Sequence, residues 1–233
     1  MSEAEAPDRD EVQIRHQQTQ VQGRYLVWRG PEASNRPPLL VATHGYGEDA
    51  GSILREVRKI PSVDGWLVVS VDAPHPFYTK KGDVVRCWMT KIDREQAIAH
   101  NTAYVTDVVE AVRQSENTSD ILVFAGFSQG VAMAWRGLAG CLRRGMEAHG
   151  LLALAADVPP DIAADPPPGI PPVLLGRGTR DEWYSAKKME QDLHVLEELE
   201  VDVTPCVFED GHLWATEYLA AADVFLRRVS DQA

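Results

Sequence analysis

The run Ile121-Leu122-Val123-Phe124-Ala125 is apolar at every position and leads straight into Gly126-Phe127-Ser128-Gln129-Gly130. A strand with one wet face alternates polar and apolar residues. A strand without a polar position fits a parallel sheet covered on both faces. The residues behind it, Val131-Ala132-Met133-Ala134-Trp135-Arg136-Gly137-Leu138, read as a helix. Ser128 therefore stands on a sharp strand-to-helix turn, the context that gives G-x-S-x-G chemical meaning. The flanking chains of such a turn pass so close that side chains two positions before and two after would clash. Gly126 and Gly130 occupy those positions. The turn also sets Ser128 at a helix N-terminus, where free backbone N–H groups can hold a developing oxyanion. Gly and Ser are common residues, so the pentapeptide without its flanks decides little.

The rest of the chain repeats the same alternation of elements. Leu39–Thr43 and Trp66–Val71 read as buried strands, and Tyr25–Trp28, Ala148–Ala155, Pro172–Gly176 and Val201–Phe208 as further strands. Val12–Val21 alternates weakly, as a half-exposed antiparallel strand would. Helical spacing of apolar residues covers Glu95–Val112, Ala186–Leu199 and Leu213–Val229, with a shorter helix over Ser52–Lys59. Residues 75–94 read as an irregular stretch and Asp157–Pro172 as a surface loop. Strands alternating with helices predict the α/β class, with a mostly parallel central sheet and helices on both faces. At 233 residues the chain suits one such domain, over residues 12–233, behind a flexible acidic lead-in at 1–11.

Composition narrows the partners. A net charge of −12 argues against nucleic acid and against anionic membrane surfaces. The sequence shows no signal peptide and no stretch of transmembrane length, so no membrane span is expected. Cys87, Cys141 and Cys206 are scattered, without metal-ligand spacing, which fits a reducing compartment and makes the cytoplasm the expected location. No G-x-G-x-x-G follows the first buried strand, and neither a cofactor nor a metal is expected.

In a parallel sheet the site lies at the carboxyl ends of the strands. Four strand ends carry chemistry: His44-Gly45-Tyr46-Gly47, Ser128, Asp181 and His212. Ser128 is a weak nucleophile until a base takes its proton. His212 is the candidate base, and Asp181 the group that fixes its tautomer and stabilises the imidazolium. The candidate oxyanion donors are the Gln129 and Tyr46 N–H groups, with Gly45 and Gly47 letting the backbone approach a substrate. Each choice has a competitor. His75 follows Asp72-Ala73-Pro74 in a loop; Asp157 ends the strand before Asp181, and Asp181 itself fits a helix cap. Trp88 and Trp183 are candidates for the substrate pocket, and equally for plain apolar anchors. A binding protein without catalysis would lack a member of the Ser–Asp–His set, and none is missing.

The segments Thr43-His44-Gly45-Tyr46-Gly47-Glu48-Asp49, Gly126-Phe127-Ser128-Gln129-Gly130, Gly178-Thr179-Arg180-Asp181 and Asp210-Gly211-His212 together resemble the carboxylesterase/phospholipase branch of the α/β-hydrolases, which includes acyl-protein thioesterases and small bacterial esterases. The resemblance implies an α/β-hydrolase fold without a large cap domain, and a Ser128–Asp181–His212 triad. It also implies an oxyanion hole from the Tyr46 and Gln129 amides, and cofactor-free hydrolysis of a small ester or thioester. It places Trp88, in Arg86-Cys87-Trp88, near the pocket. Two features depart from the pattern. Val131 follows Gly130 where many relatives have a second glycine, and Glu182-Trp183-Tyr184 follows Asp181 in place of small apolar residues. Bulky Trp183 beside the site favours short-chain or aryl esters over the long acyl groups of thioesterases and lysophospholipases. Residues 75–94 are long enough for a small lid. An apolar patch at Trp183-Tyr184 fits a homodimer contact as well as a substrate entrance.

Overall fold

The computed structural model describes residues 14–17 and 19–232. Seven strands form one sheet: β1 (Tyr25–Arg29), β2 (Leu39–Thr43), β3 (Leu67–Val71), β6 (Leu122–Phe127), β7 (Gly150–Leu154), β8 (Val173–Gly178) and β9 (Val203–Phe208). Their order is β1-β3-β2-β6-β7-β8-β9. Only β1 runs antiparallel to its neighbour; the other pairings are parallel. A short antiparallel hairpin of β4 (His75–Tyr78) and β5 (Val84–Cys87) stands apart from the sheet.

Strand periodicity divides the core in two. In β2, Leu39 and Val41 point to one side, and Leu40 and Ala42 to the other. The first side is covered by α2 (Arg94–Ser115), α3 (Gln129–Arg143) and α5 (Ala186–Glu198), with Val105, Val109, Trp135 and Leu196 fully buried or nearly so. The second is covered by α1 (Ala50–Val57) and α6 (Thr216–Gln232), through Ile53, Val57, Tyr218 and Leu226. This is why β2, β3, β6 and β7 contain no exposed residue. Pro205 is tolerated in β9 because β9 is an edge strand, where a missing N–H costs no ladder bond.

The topology fixes where a site can lie. From β2 the chain passes to β3 on one side, while β6 pairs on the other side of β2. The connections leaving the carboxyl ends of β2 and β6 therefore diverge, which opens a crevice between them.

Three expectations change. Residues 14–17 and 19–21 form no strand, so the half-exposed strand over Val12–Val21 is absent from its described part; its weak alternation had no sheet edge to pair with. Residues 1–11 lie outside the described residues. The irregular stretch 75–94 contains the β4–β5 hairpin, which is invisible to alternation because both strands are only four residues long and neither has a fully buried face. The surface loop Asp157–Pro172 contains a short helix, α4 (Pro160–Ala164), and its first residues are part of a cavity wall.

Candidate active site

Ser128 sits between β6 and α3 with φ 52° and ψ −125°. A non-glycine residue at such a φ costs on the order of 1–3 kcal/mol, and it persists only where its surroundings impose it. Here they do. The Ser128 N–H donates to the Leu154 carbonyl at 2.9 Å and its own carbonyl accepts from Val131 at 2.9 Å. A Cβ on Gly126 would lie 2.6 Å from the Val131 Cα, and a Cβ on Gly130 would overlap the Thr43 carbonyl oxygen. Both glycines are thus required by close backbone approach, the second because α3 begins directly against the end of β2.

His212 and Asp181 come from the ends of β9 and β8. These loops are tied together: the Thr179 N–H donates to the Phe208 carbonyl and the Arg180 N–H to the Asp210 carbonyl, both at 2.8 Å. A Cβ on Gly178 would overlap the Asp210 and Gly211 carbonyl oxygens, so glycine alone lets the two loops meet. The His212 Nδ1 lies 2.8 Å from the Asp181 Oδ2. The other carboxylate oxygen accepts from the Trp183 and Tyr184 N–H groups at 2.8 and 2.9 Å. Asp181 is buried and held as an acceptor only. The proton therefore belongs on the His212 Nδ1, which leaves Nε2 as the basic nitrogen.

The loop after β2 is braced from behind. His44 is fully buried; its Nε2 accepts from the Ala73 N–H at 3.0 Å and its Nδ1 donates to the Gly45 carbonyl at 2.7 Å. Burial lowers its pKa, so it is a neutral structural histidine. Trp88 stacks at 5.4 Å from the His44 ring and donates its indole N–H to the His44 carbonyl. The hairpin clamps the same loop: the Gly47 N–H donates to the Arg86 carbonyl at 3.0 Å, and the Arg86 N–H to the Glu48 carbonyl at 2.9 Å. The Gln129 side chain completes the brace, accepting from the Trp88 N–H and donating to the Met89 carbonyl. The Gln129 and Tyr46 N–H groups themselves are donors to none of the described hydrogen bonds.

These elements surround one cavity of about 700 Å³, which Ser128, His212, Gly45, Tyr46 and Gln129 all line. A match to the phospholipase/carboxylesterase family model extends over residues 31–230. The chain belongs to the phospholipase/carboxylesterase family. It is a carboxylesterase-family serine hydrolase with the α/β-hydrolase fold, and its described residues add no cap domain. Its backbone is similar to that of esterase PE8 (24% identity, 91% of this chain and 100% of that one, TM-score 0.68). It also resembles a phospholipase/carboxylesterase from Dyadobacter fermentans (19%, 90% and 99%, 0.67) and the Bacillus cereus carboxylesterase (19%, 89% and 94%, 0.66). Among curated protein sequences, none matches.

Against the expectations for a carboxylesterase, the structure places the residues as follows. Trp183 lines the cavity but is 75% exposed, at its rim. Trp88 does not line it. It is fully buried behind the β2 loop, where its indole N–H finds a carbonyl partner, so its place is that of a brace and not of a substrate contact. Tyr184 is also fully buried, donating its hydroxyl to Asp192, so no apolar Trp183-Tyr184 patch exists and no homodimer contact is supported. Asp157 lies on the cavity wall paired with Lys188 at 3.3 Å, and His75 is exposed on β4. No group of described residues could hold a metal ion, and no described helix is long and apolar enough to cross a membrane.

Several cavity residues escaped the sequence reading, charged ones among them. The Glu48 carboxylate accepts from the Gly45 N–H at 2.7 Å, and burial raises its pKa. Arg136 and Arg94 bring positive charge to the wall. The spacing Gln129, Ala132, Arg136 along α3 is a helical face, and it carried the signal for Arg136.

Proposed function

We propose that this carboxylesterase hydrolyses short-chain or aryl carboxylic esters through an acyl-enzyme on Ser128. Ser128 Oγ attacks the ester carbonyl carbon while His212 Nε2 takes its proton. The carbonyl oxygen becomes an oxyanion held by the Gln129 and Tyr46 N–H groups. The tetrahedral intermediate collapses, the C–O bond to the alcohol breaks, and His212 returns the proton to the leaving alcohol. Water then attacks the acyl-enzyme by the same route and releases the acid and free Ser128. Asp181 holds the imidazole and stabilises its charged form throughout.

The observation that carries this reading is the 2.8 Å His212–Asp181 pair opening onto the same cavity as a serine forced to φ 52°. The short-chain preference is supported by Trp183 at the rim and by the Arg94 and Arg136 side chains on the cavity lining, which do not suit the end of a long alkyl chain.

The test is hydrolysis of p-nitrophenyl esters from acetate to palmitate, with Ser128→Ala beside the wild type. Wild-type turnover peaking on short acyl chains, with a loss of about a thousandfold or more in the variant, is expected. An optimum on long acyl chains would reject the short-chain preference. Unchanged turnover in Ser128→Ala would reject the nucleophile.

A further inference from the structure

The cavity runs along α3. Gln129, Ala132 and Arg136 lie on one face of that helix and all three line the cavity. Arg136 lies eight positions on from Ser128, about 12 Å at 1.5 Å per residue, and helical side chains lean back toward the N-terminus. The intervening wall is mainly apolar, formed by Met89, Ala132, Val158 and Pro159. A slot thus leads from the serine to a guanidinium.

That guanidinium is only 2% exposed. Asp161 takes its Nε and Nη2, at 2.9 and 2.6 Å. Its Nη1 meets only the Met89 thioether, a weak acceptor, at 3.9 Å. Arg94, the first residue of α2, lines the same cavity; it makes none of the described hydrogen bonds or ion pairs, and its charge acts on Asp161 from a longer distance. Two guanidiniums thus share one carboxylate. The remaining cation of the cavity, Lys188, is already taken by Asp157 and by the Trp183 carbonyl. The far end of the slot is left with an excess positive charge in a molecule of net charge −12. A purely structural Arg136–Asp161 pair would explain the burial of Arg136. It does not explain a second cation on the same wall, or a donor facing sulfur.

Resting on the esterase reading, we propose that the preferred substrate is an ester carrying an anionic group, a carboxylate by its planar fit to guanidinium, held by Arg136 Nη1 and Arg94 while Ser128 attacks the ester carbonyl. A short linker between ester and carboxylate fills the apolar slot.

The test compares mono-ethyl succinate, adipate and suberate with the ethyl alkanoates of the same acyl length, by pH-stat. A further arm, 4-carboxyphenyl acetate against phenyl acetate, places the charge on the alcohol side. At least one anionic ester should exceed its neutral counterpart in kcat/KM by about tenfold, the worth of one desolvated charge contact; the arm in which this happens tells which side carries the charge. Arg94→Ala and Arg94→Glu should lower that ratio about fivefold and more than tenfold respectively. Raising salt should lower it in the wild type. Arg94 is chosen because it is exposed at a helix start, whereas removing Arg136 would strand Asp161. Independently of any variant, adipate should compete with a neutral ester. Neutral esters turned over with no anionic preference, and no effect of Arg94→Glu on the ratio, would overturn this inference alone. Absence of turnover on every ester by the folded protein would overturn the esterase reading with it.

Discussion

Asp192 offers a prediction whose size comes directly from its surroundings. It lies on α5 and is 7% exposed. One carboxylate oxygen accepts from the Val158 N–H at 3.1 Å and the other from the Tyr184 hydroxyl at 2.7 Å. It therefore latches the cavity wall at Val158 to the segment that follows Asp181. Burial raises its pKa from 3.8 to about 6, more than these two donors lower it. The native state thus holds this proton more tightly than the unfolded chain. The resulting stabilisation is fully present below pH 3.8 and is lost as pH rises through about 6. At about 1.4 kcal/mol per pH unit the full effect is worth about 3 kcal/mol, of which about 2 kcal/mol falls between roughly pH 4.5 and pH 7.5. Asp192→Asn removes the titration and keeps the shape. Its amide oxygen still accepts from Val158, and the Tyr184 hydroxyl can turn to accept from the new NH₂. Urea unfolding of both proteins at the two pH values gives the comparison. The variant should gain about 2 kcal/mol on wild type at the higher pH relative to the lower. Profiles that stay parallel would show that Asp192 is not the buried acid described here.

Two further substitutions test the frame around Ser128. Gly130→Ala places a Cβ on the Thr43 and His44 carbonyl oxygens, both backbone and unable to swing aside; a loss of about 1–3 kcal/mol in thermal denaturation and about a hundredfold in kcat is expected as α3 is pushed off β2. Gln129→Ala keeps the N–H but strips partners from the Trp88 N–H and the Met89 carbonyl; a stability loss of about 1–3 kcal/mol with at least tenfold lower kcat/KM should follow, and a variant with wild-type kinetics would show that the side chain does not brace the site.

The sheet was legible in the sequence because its central strands are buried on both faces: no polar residue interrupts Leu39–Ala42 or Leu122–Ala125, and runs this short, set between turns and helices, fit sandwiched parallel strands. The strand ends were legible for the same reason, since the topology follows from the alternation of elements. What escaped is held by bonds between distant segments. Nothing around Trp88 tells whether its indole faces the cavity or the back of the β2 loop; that is decided by the His44 carbonyl, 44 residues away. The β4–β5 hairpin joins no sheet. It is fixed by the Glu48–Arg86 bridge and by the salt bridge of Arg86 with buried Asp72, pairings that leave no local pattern. Asp157–Pro172 reads as a loop because prolines and acids are frequent in it, yet the Asp192 latch on Val158 turns its start into a wall.

The parts of the site converge on α3. Its first residue, Gln129, lines the cavity beside Ser128, its second rests on the end of β2, and its first side chain holds the segment after the hairpin. One and two turns further on, Ala132 and Arg136 form the slot. The proposed nucleophile and one of the two proposed anchoring guanidiniums are therefore tied to one helix, α3, while Arg94 approaches from α2. The spacing between Ser128, the proposed nucleophile, and Arg136 is then set by helix geometry. On the proposed reading, a linker much shorter or longer than that spacing should lower kcat/KM, which the succinate, adipate and suberate half-esters would measure.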